Sequence, residues 1–116
     1  MTHGKLLAKS GAVLIASCLR TTNAFDRMRG LLFRAMLAPG TGLLIDPCAS
    51  VHTFAMSYPI DVIYLDRDFR VMRLVEALRP WRLSACRTAR MTLELAAGQA
   101  KALGLTRDME FEWCAD

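Results

Sequence analysis

Cys48 and His52 are two residues of a largely apolar segment that could bind a metal ion together, because thiolate and imidazole are both zinc ligands. A structural zinc site needs four protein ligands, and a catalytic site usually needs three. The remaining donors would have to be Asp61, Glu94 or a distant cysteine, and nothing in the linear pattern supplies them. The sequence therefore predicts no metal ion, and it indicates no other cofactor.

The same pair could instead form a cysteine nucleophile with its base. A nucleophilic thiol needs a base within hydrogen-bond reach. Residues four positions apart in an extended segment are separated by about 13 Å, at roughly 3.3 Å per residue, so only a bend between Cys48 and His52 would bring them together. The pattern favours a buried or unreactive thiol.

Asp61 and Glu94 are carboxylates in apolar surroundings. Such a side chain can point to solvent, pair with an arginine, or take part in acid–base catalysis. Arg29 lies in a segment with helical spacing, and an Arg29–Glu94 ion pair would fix that helix to a sheet. We favour this structural pairing, and a catalytic dyad of Asp61 and Glu94 is the alternative.

Arginine is concentrated between positions 73 and 90, where Trp81 also lies. Arginine beside an aromatic ring is typical of sites for anions, phosphates or single-stranded nucleic acid. The pattern defines no groove, and a solvated charged face is the more common explanation, so nucleic acid is not the expected partner. The arginines of this segment are Arg73, Arg79, Arg82, Arg87 and Arg90.

Length and composition indicate one soluble domain. The chain has 116 residues, of which 53% are hydrophobic, and a net charge of +4. This balance suits a single apolar core and mildly favours anionic ligands. No stretch approaches the length of a transmembrane helix. Four cysteines without a C-x-x-C pair indicate reduced thiols in a cytoplasmic protein. They are Cys18, Cys48, Cys86 and Cys114.

The N-terminal segment permits a second interpretation of the compartment. The tetrapeptide at 15–18 is similar to a lipoprotein cleavage site, which would make the protein periplasmic with Cys18 as the lipidation site. Lys9 interrupts the preceding apolar run, so the pattern favours a strand over a signal. We therefore expect residues 1–11 to be flexible and residues 12–116 to form a single domain.

Hydrophobic spacing predicts strands and two helices. Alternating and β-branched runs predict strands over 12–19, 42–45, 51–58, 90–95 and 109–113, and a hairpin over 60–77. Helical spacing predicts helices over 24–36 and 96–103, and residues 78–90 are expected to be a loop. The fold class is α+β and mainly β: a curled antiparallel sheet or small barrel-like sandwich with one N-terminal helix and one short C-terminal helix.

Four motifs occur in the order and at the spacing typical of one family: "RMRGLLFR" at 27–34, "GLLI" at 42–45, "VHTFAMSYPIDVIYLD" at 51–66 and "TLELAAGQAKALGL" at 92–105. Over about residues 12–113 the chain is similar to the domain-of-unknown-function family number 192, an uncharacterised bacterial and archaeal family. The resemblance implies a small, mainly β domain and no established reaction. It implies motif positions, without known roles, at Arg29, Gly30, Arg34, Gly42, Phe54, Met56, Asp61, Glu94 and Gly98.

The chain departs from the family pattern at two turns. Asp68-Phe69 stands where the hairpin turn usually has a glycine, and Arg107-Asp108 stands where a Gly-Asp pair commonly follows the last helix. The resemblance therefore leaves the type of the hairpin turn open, and only the carboxylate of the second motif is retained.

Two functions remain open at this point. One is a binding or accessory module, in which an apolar groove around Phe54 and Met56, with nearby arginines, holds an anionic small molecule or partner protein. The other is a small hydrolase-like enzyme, for which two of three polar residues would have to meet in an open pocket. These three are His52, Asp61 and Glu94. We expect a monomer, and the candidate binding residues are Arg29, His52, Phe54, Met56, Asp61, Arg82, Arg87 and Glu94.

Overall fold

Short apolar strands make up most of the chain. The structure, a computed structural model, describes residues 1–21, 23, 37–54 and 56–116. In these ranges the strands are β1 (Thr2–Ala8), β2 (Val13–Arg20), β3 (Thr41–Ile45), β4 (Ser50–His52), β5 (Ile60–Leu65), β6 (Val71–Leu78), β7 (Leu83–Ala85), β8 (Met91–Ala96) and β9 (Phe111–Ala115), and the helix is α1 (Gln99–Ala102). The fold is mainly β, as the sequence predicts.

The strands form a seven-stranded sheet and a two-stranded one. The order in the large sheet is β6-β5-β8-β3-β2-β1-β9, and β4 pairs with β7 in the small sheet. The large sheet is mainly antiparallel, and among the described strands its one parallel pair is β2 with β3, from the pair Ser17–Thr41 to the pair Arg20–Leu44. Parallel strands need a long connection, and the stretch 21–40 between these two strands provides it.

The two ends of the large sheet meet at one point. Arg70, just before β6, forms an isolated antiparallel bridge with Glu110, just before β9. Val71 N donates to the Met109 carbonyl at 2.8 Å, and Phe111 N donates to the Phe69 carbonyl at 3.0 Å. The contact stops there, so the sheet is curled but is not closed into a barrel.

Each face of the large sheet has its own core. Leu93 and Leu95 of β8 belong to a large cluster that also includes Ala100 of α1. The opposite face carries a smaller cluster in which Val62 and Tyr64 of β5 pack with Val51 of β4. Successive residues of a strand point to opposite faces, so β5 contributes to both cores.

Several predicted strands are confirmed, and four other predictions need correction. The hairpin over 60–77 is β5 and β6, and the predicted strands near 12–19, 42–45 and 90–95 are β2, β3 and β8. Residues 1–11 are not a flexible extension, since β1 pairs with β2 on one side and β9 on the other and buries Leu6. The mixed polarity of β1 gave no strand pattern. The strand is held by backbone pairing on both sides rather than by many apolar side chains.

Two of the other three corrections concern the length of a strand or helix. The strand over 51–58 ends at His52, and the C-terminal helix over 96–103 shrinks to four residues. Gly98 has φ +90°, outside the helical region, so the helix cannot start before it. The predicted loop over 78–90 contains β7. The predicted helix over 24–36 lies outside the described residues.

Gly4 of β1 gives the first testable prediction. A Cβ atom at this position would lie within 3 Å of the Cys114 carbonyl oxygen and of two ring carbons of Trp113, both on β9. We expect Gly4→Ala to lower the free energy of unfolding by about 3 kcal/mol, because the backbone of a paired strand cannot move away as a side chain can. Urea unfolding of both proteins measures the difference.

Gly42→Ala is the matched control for this prediction. A Cβ atom there would meet only side-chain ends, Leu95 Cδ2 at 3.0 Å and Ile15 Cδ1 at 3.4 Å. Side-chain ends adjust at a smaller cost, so we expect a loss of about 1 kcal/mol. Equal losses in the two variants would show that the contact between β1 and β9 is not what excludes a side chain at Gly4.

Candidate functional site

Asp61 holds backbone groups of two other elements. Its side chain is fully buried and accepts hydrogen bonds from Ala77 N at 2.8 Å and from Ala100 N at 2.9 Å. Ala77 lies in β6 with φ +50°, and Ala100 lies in the first turn of α1. Both carboxylate oxygens are therefore occupied by the protein's own backbone, which indicates a structural role.

Glu94 lies on the other side of the same sheet. In the pairing of β5 with β8, Asp61 is opposite Leu95, and Val62 is opposite Glu94. Directly paired residues share a face and successive residues do not, so Asp61 and Glu94 point away from each other. The expected alternative of a catalytic dyad is therefore wrong. Glu94 is fully buried, and Arg29, its expected partner, lies outside the described residues.

His52 belongs to an exposed surface. It is the last residue of β4, and its ring lies 5.0 Å from that of Phe54. The Phe54 ring in turn stacks on Trp81, with centroids 5.8 Å apart and 22° between the planes. Leu83 of β7 is paired with His52 in register. We call His52, Phe54, Trp81 and Leu83 the aromatic patch.

The aromatic patch is unusually exposed for its composition. Phe54 is 44% exposed, Trp81 63% and Leu83 73%. Large apolar side chains gathered at this exposure are typical of surfaces that contact a partner. Met56 is half-buried and packs against the smaller core.

Thr53 fixes the loop that carries Trp81. Its hydroxyl donates to the Arg79 carbonyl at 2.6 Å and accepts from Arg82 N at 2.9 Å. Its carbonyl accepts from Trp81 N at 3.0 Å, and its own N–H donates to the Arg82 carbonyl at 2.9 Å. These four hydrogen bonds of the buried Thr53 therefore join the turn that carries Trp81 to the segment that carries Phe54.

Trp81 is held in a backbone conformation that rarely suits it. It follows Pro80 in a turn and has φ +62°, in the left-handed region. That region costs a residue with a side chain roughly 1–2 kcal/mol. The Thr53 hydrogen bonds maintain this strain, and strained backbone of this kind is often found at functional sites.

Positive charge surrounds the aromatic patch. Arg79 and Arg82 flank Trp81 in sequence, and both are exposed, as is Arg87 beyond β7. No acidic residue occurs between positions 77 and 90. The Arg82 guanidinium reaches back to the Trp81 carbonyl at 3.3 Å. Arg79 and Arg82 are therefore close to Trp81 in the chain, whereas Arg87 lies beyond the end of β7 opposite Leu83.

The thiols and the possible metal ligands are distributed through the fold. Cys18 is buried, Cys48 and Cys86 are half-buried, and Cys114 is exposed, all as free thiols. Cys48 Sγ donates to the Ser50 carbonyl at 3.0 Å. Within the described ranges, no three histidine, cysteine, aspartate or glutamate side chains gather as metal ligands would.

Sequence reasoning missed Leu83 as part of this surface. Residues 78–90 lack clear periodicity, so β7 and its pairing with β4 could not be predicted. The signal that could have identified this surface is the cluster of Arg79, Trp81 and Arg82 around Pro80.

Among the described helices, none has the length and apolar character needed to cross a membrane.

Comparison with known proteins places the chain in a family. The family DUF192, described as an uncharacterized ACR, matches residues 8–113. A proposed transcription regulator from Sinorhizobium meliloti 1021 has a similar structure, with a TM-score of 0.78, 23% identity, and coverage of 97% of this chain and 92% of that one. A protein of unknown function from Novosphingobium aromaticivorans DSM 12444 has a TM-score of 0.70, 24% identity, and coverage of 96% and 84%.

These identities establish a shared fold and nothing about activity. No curated protein matches the chain. The family match covers nearly the whole sequence and includes the motifs singled out above. The chain belongs to the DUF192 family of uncharacterised domains.

Proposed function

We propose that this protein is a binding module whose aromatic patch docks an acidic peptide segment of a partner protein. The observation that carries the proposal is that Phe54, Trp81 and Leu83 are exposed next to one another, on segments that the hydrogen bonds of Thr53 join. Rigid aromatic side chains lose little entropy on binding, and tryptophan and arginine are enriched among the residues that dominate interfaces.

Charge complementarity identifies the acidic character of the partner. Arg79 and Arg82 are exposed on either side of Trp81 in the chain, and no acidic residue occurs between positions 77 and 90. Carboxylates of a peptide would meet these guanidinium groups, while an apolar side chain would rest on Trp81 and Leu83. Such pairs speed association and select against basic partners.

A peptide suits the patch better than single-stranded nucleic acid does. The rings of Phe54 and Trp81 already stack on each other, so their facing sides are closed to a base. Leu83, the most exposed member, has no aromatic face on which a base could stack. The similar protein from Sinorhizobium meliloti is described as a proposed transcription regulator. The test must therefore distinguish peptide binding from nucleic-acid binding.

The enzyme alternative has less support. It required two of His52, Asp61 and Glu94 to meet in an open pocket, and Asp61 and Glu94 point to opposite faces of the sheet. His52 packs against Phe54 at the exposed end of β4.

We keep the cytoplasm as the proposed compartment, since widely spaced cysteines are typical of reduced thiols there.

Trp81→Gly tests the proposal, because it removes the ring and relieves the backbone together. Peptides selected on the wild-type protein from a random displayed library are expected to combine Asp or Glu with Leu, Phe or Trp. In fluorescence anisotropy, Trp81→Gly should bind a selected peptide at least ~30-fold more weakly, the effect of a hot-spot residue of about 2 kcal/mol. Its stability in urea should stay the same or rise, because glycine accepts φ +62° without steric cost.

Val13→Gly is the control for this experiment. Val13 is also an exposed large apolar residue, at 55%, but lies in β2 away from the patch. It should leave peptide affinity unchanged. Selection of peptides without acidic residues, or tighter and Trp81-dependent binding of a labelled oligothymidylate, would contradict the proposal. The second result would make the patch a nucleic-acid surface.

A further inference from the structure

A second site lies at the carboxyl ends of the parallel strands, apart from the aromatic patch. Arg20 ends β2 and Asp46 follows β3, so the parallel pairing brings them to the same edge. Arg90 precedes β8, and its carbonyl accepts a hydrogen bond from Cys48 N at 2.9 Å, which fixes it beside the segment after β3. Between them is an open cavity of about 390 Å³, within the range of small-molecule sites.

One carboxylate is shared by two guanidinium groups in this cavity. Arg20 Nη2 lies 2.8 Å from Asp46 Oδ2, and Arg90 Nε lies 3.1 Å from Asp46 Oδ1. Thr21 Oγ1 accepts a hydrogen bond from Asp46 N at 2.9 Å and so fixes the backbone of this aspartate. Two positive charges and one negative charge leave the group with a net charge of about +1.

Arg20 is fixed in place before any ligand arrives. Its guanidinium carbon lies 5.4 Å from the centre of the Phe69 ring and 5.2 Å from that of Trp113. Trp113 is itself fixed, because Nε1 donates to the Cys18 carbonyl at 3.1 Å. A guanidinium has five N–H donors in a rigid fork, and Asp46 uses one donor of each arginine. The group is thus built to offer further donors to an anion.

The walls of the cavity indicate the rest of the ligand. Trp113 and Pro47 both line it and present apolar surface next to the two arginines. A phosphate ion would use the charge and leave these surfaces without a contact. A small carboxylate with an apolar substituent uses both, since carboxylate geometry matches the guanidinium fork.

We propose that the Arg20–Asp46–Arg90 cavity binds a small organic carboxylate, with the carboxylate on Arg20 and Arg90 and its apolar group against Trp113. This site shares no residue with the aromatic patch and does not depend on the function proposed for it. Asp46 acts as the brace that orients the two arginines, and the bound anion neutralises the remaining positive charge.

The experiment uses the fluorescence of Trp113 in the Trp81→Gly protein, since the chain has only two tryptophans. Benzoate is titrated as the probe, beside its neutral analogue benzamide and beside inorganic phosphate. We expect a saturable change with benzoate, at least ~tenfold weaker binding of benzamide, and weaker binding of phosphate. Stronger binding of phosphate, or equal binding of benzamide, would overturn the proposal of an organic carboxylate.

Two arginine variants separate the site from general charge effects. Arg90→Gln should weaken benzoate binding at least ~tenfold and should fold, because its side chain is 56% exposed. Arg70→Gln is the matched control, since Arg70 is 52% exposed and also pairs with an aspartate, Asp108, at 3.6 Å. It should leave benzoate binding unchanged. Unchanged binding in folded Arg90→Gln, as judged by urea unfolding, would overturn the proposal.

Discussion

Asp61→Ala is expected to lower the free energy of unfolding by about 4 kcal/mol. The substitution removes the buried carboxylate that accepts from the N–H groups of Ala77 and Ala100; the hydrogen bond from Ala100 is buried and the one from Ala77 is partly buried. Each buried N–H that loses its partner costs about 1–3 kcal/mol, and hydrogen bonds to a charged group are at the upper end. Urea unfolding at neutral pH measures the loss, and hydrogen exchange should show the largest loss of protection in α1.

Asp66→Ala is a close control for this prediction. Asp66 Oδ1 also accepts from two backbone N–H groups, those of Asp68 at 2.8 Å and Arg70 at 3.0 Å, but in an exposed turn. Water can replace a carboxylate there, so we expect a loss of at most about 1 kcal/mol. Similar losses in the two variants would show that burial does not set the importance of Asp61.

Asp61→Asn refines the interpretation of the site. The amide keeps one acceptor oxygen and places an NH₂ group where the second N–H donates, so we expect about half of the loss seen with alanine. A retained peptide affinity in this variant would separate Asp61 from the aromatic patch. This is the behaviour of a residue that connects β5, β6 and α1 rather than one that contacts a partner.

The sequence predicted most of the large sheet, because its central strands are strongly apolar. Runs such as Ile60–Leu65 and Met91–Ala96 are buried on both faces, and strands of this kind have a nearly continuous apolar sequence that identifies them. The prediction failed where pairing, rather than side chains, holds a strand, as in β1. The parallel pairing of β2 with β3 was not predicted, because local patterns do not determine which partner lies beside a strand.

The candidate site was only partly predictable for a related reason. His52 and Phe54 were chosen from one segment, and both lie in the aromatic patch. Trp81 and Leu83 joined them through the pairing of β4 with β7, which spans about thirty residues and has no local signal. The Arg20–Asp46–Arg90 group was missed for the same reason, since only the parallel strands bring its members together.

The buried thiol of Cys18 should make the fold sensitive to alkaline pH. Burial raises the pKa of Cys18 from 9.0 to about 12, an effect only partly offset by the Arg20 charge and the Trp113 hydrogen bond. Above pH 9 the unfolded chain loses this proton and the folded chain keeps it, so stability falls as the pH rises. The loss approaches roughly 4 kcal/mol near pH 12, at about 1.36 kcal/mol for each unit of difference in pKa.

Urea unfolding at pH 8 and pH 10.5 measures this dependence. We expect the wild-type protein to lose about 2 kcal/mol between the two values, with a further loss from Tyr64, whose pKa is raised chiefly by burial. Cys18→Ala should remove the part of the loss between pH 8 and pH 10.5 that comes from Cys18, whatever the stability of this variant at pH 8. Cys114→Ala should show the same loss as the wild-type protein, because Cys114 is exposed. An equal slope in Cys18→Ala and Cys114→Ala would mean that Cys18 ionises as readily in the folded chain as in the unfolded one. The core around β2 would then have to tolerate a thiolate, and the membership of Cys18 in the larger core with Ile15 and Leu44 argues against that.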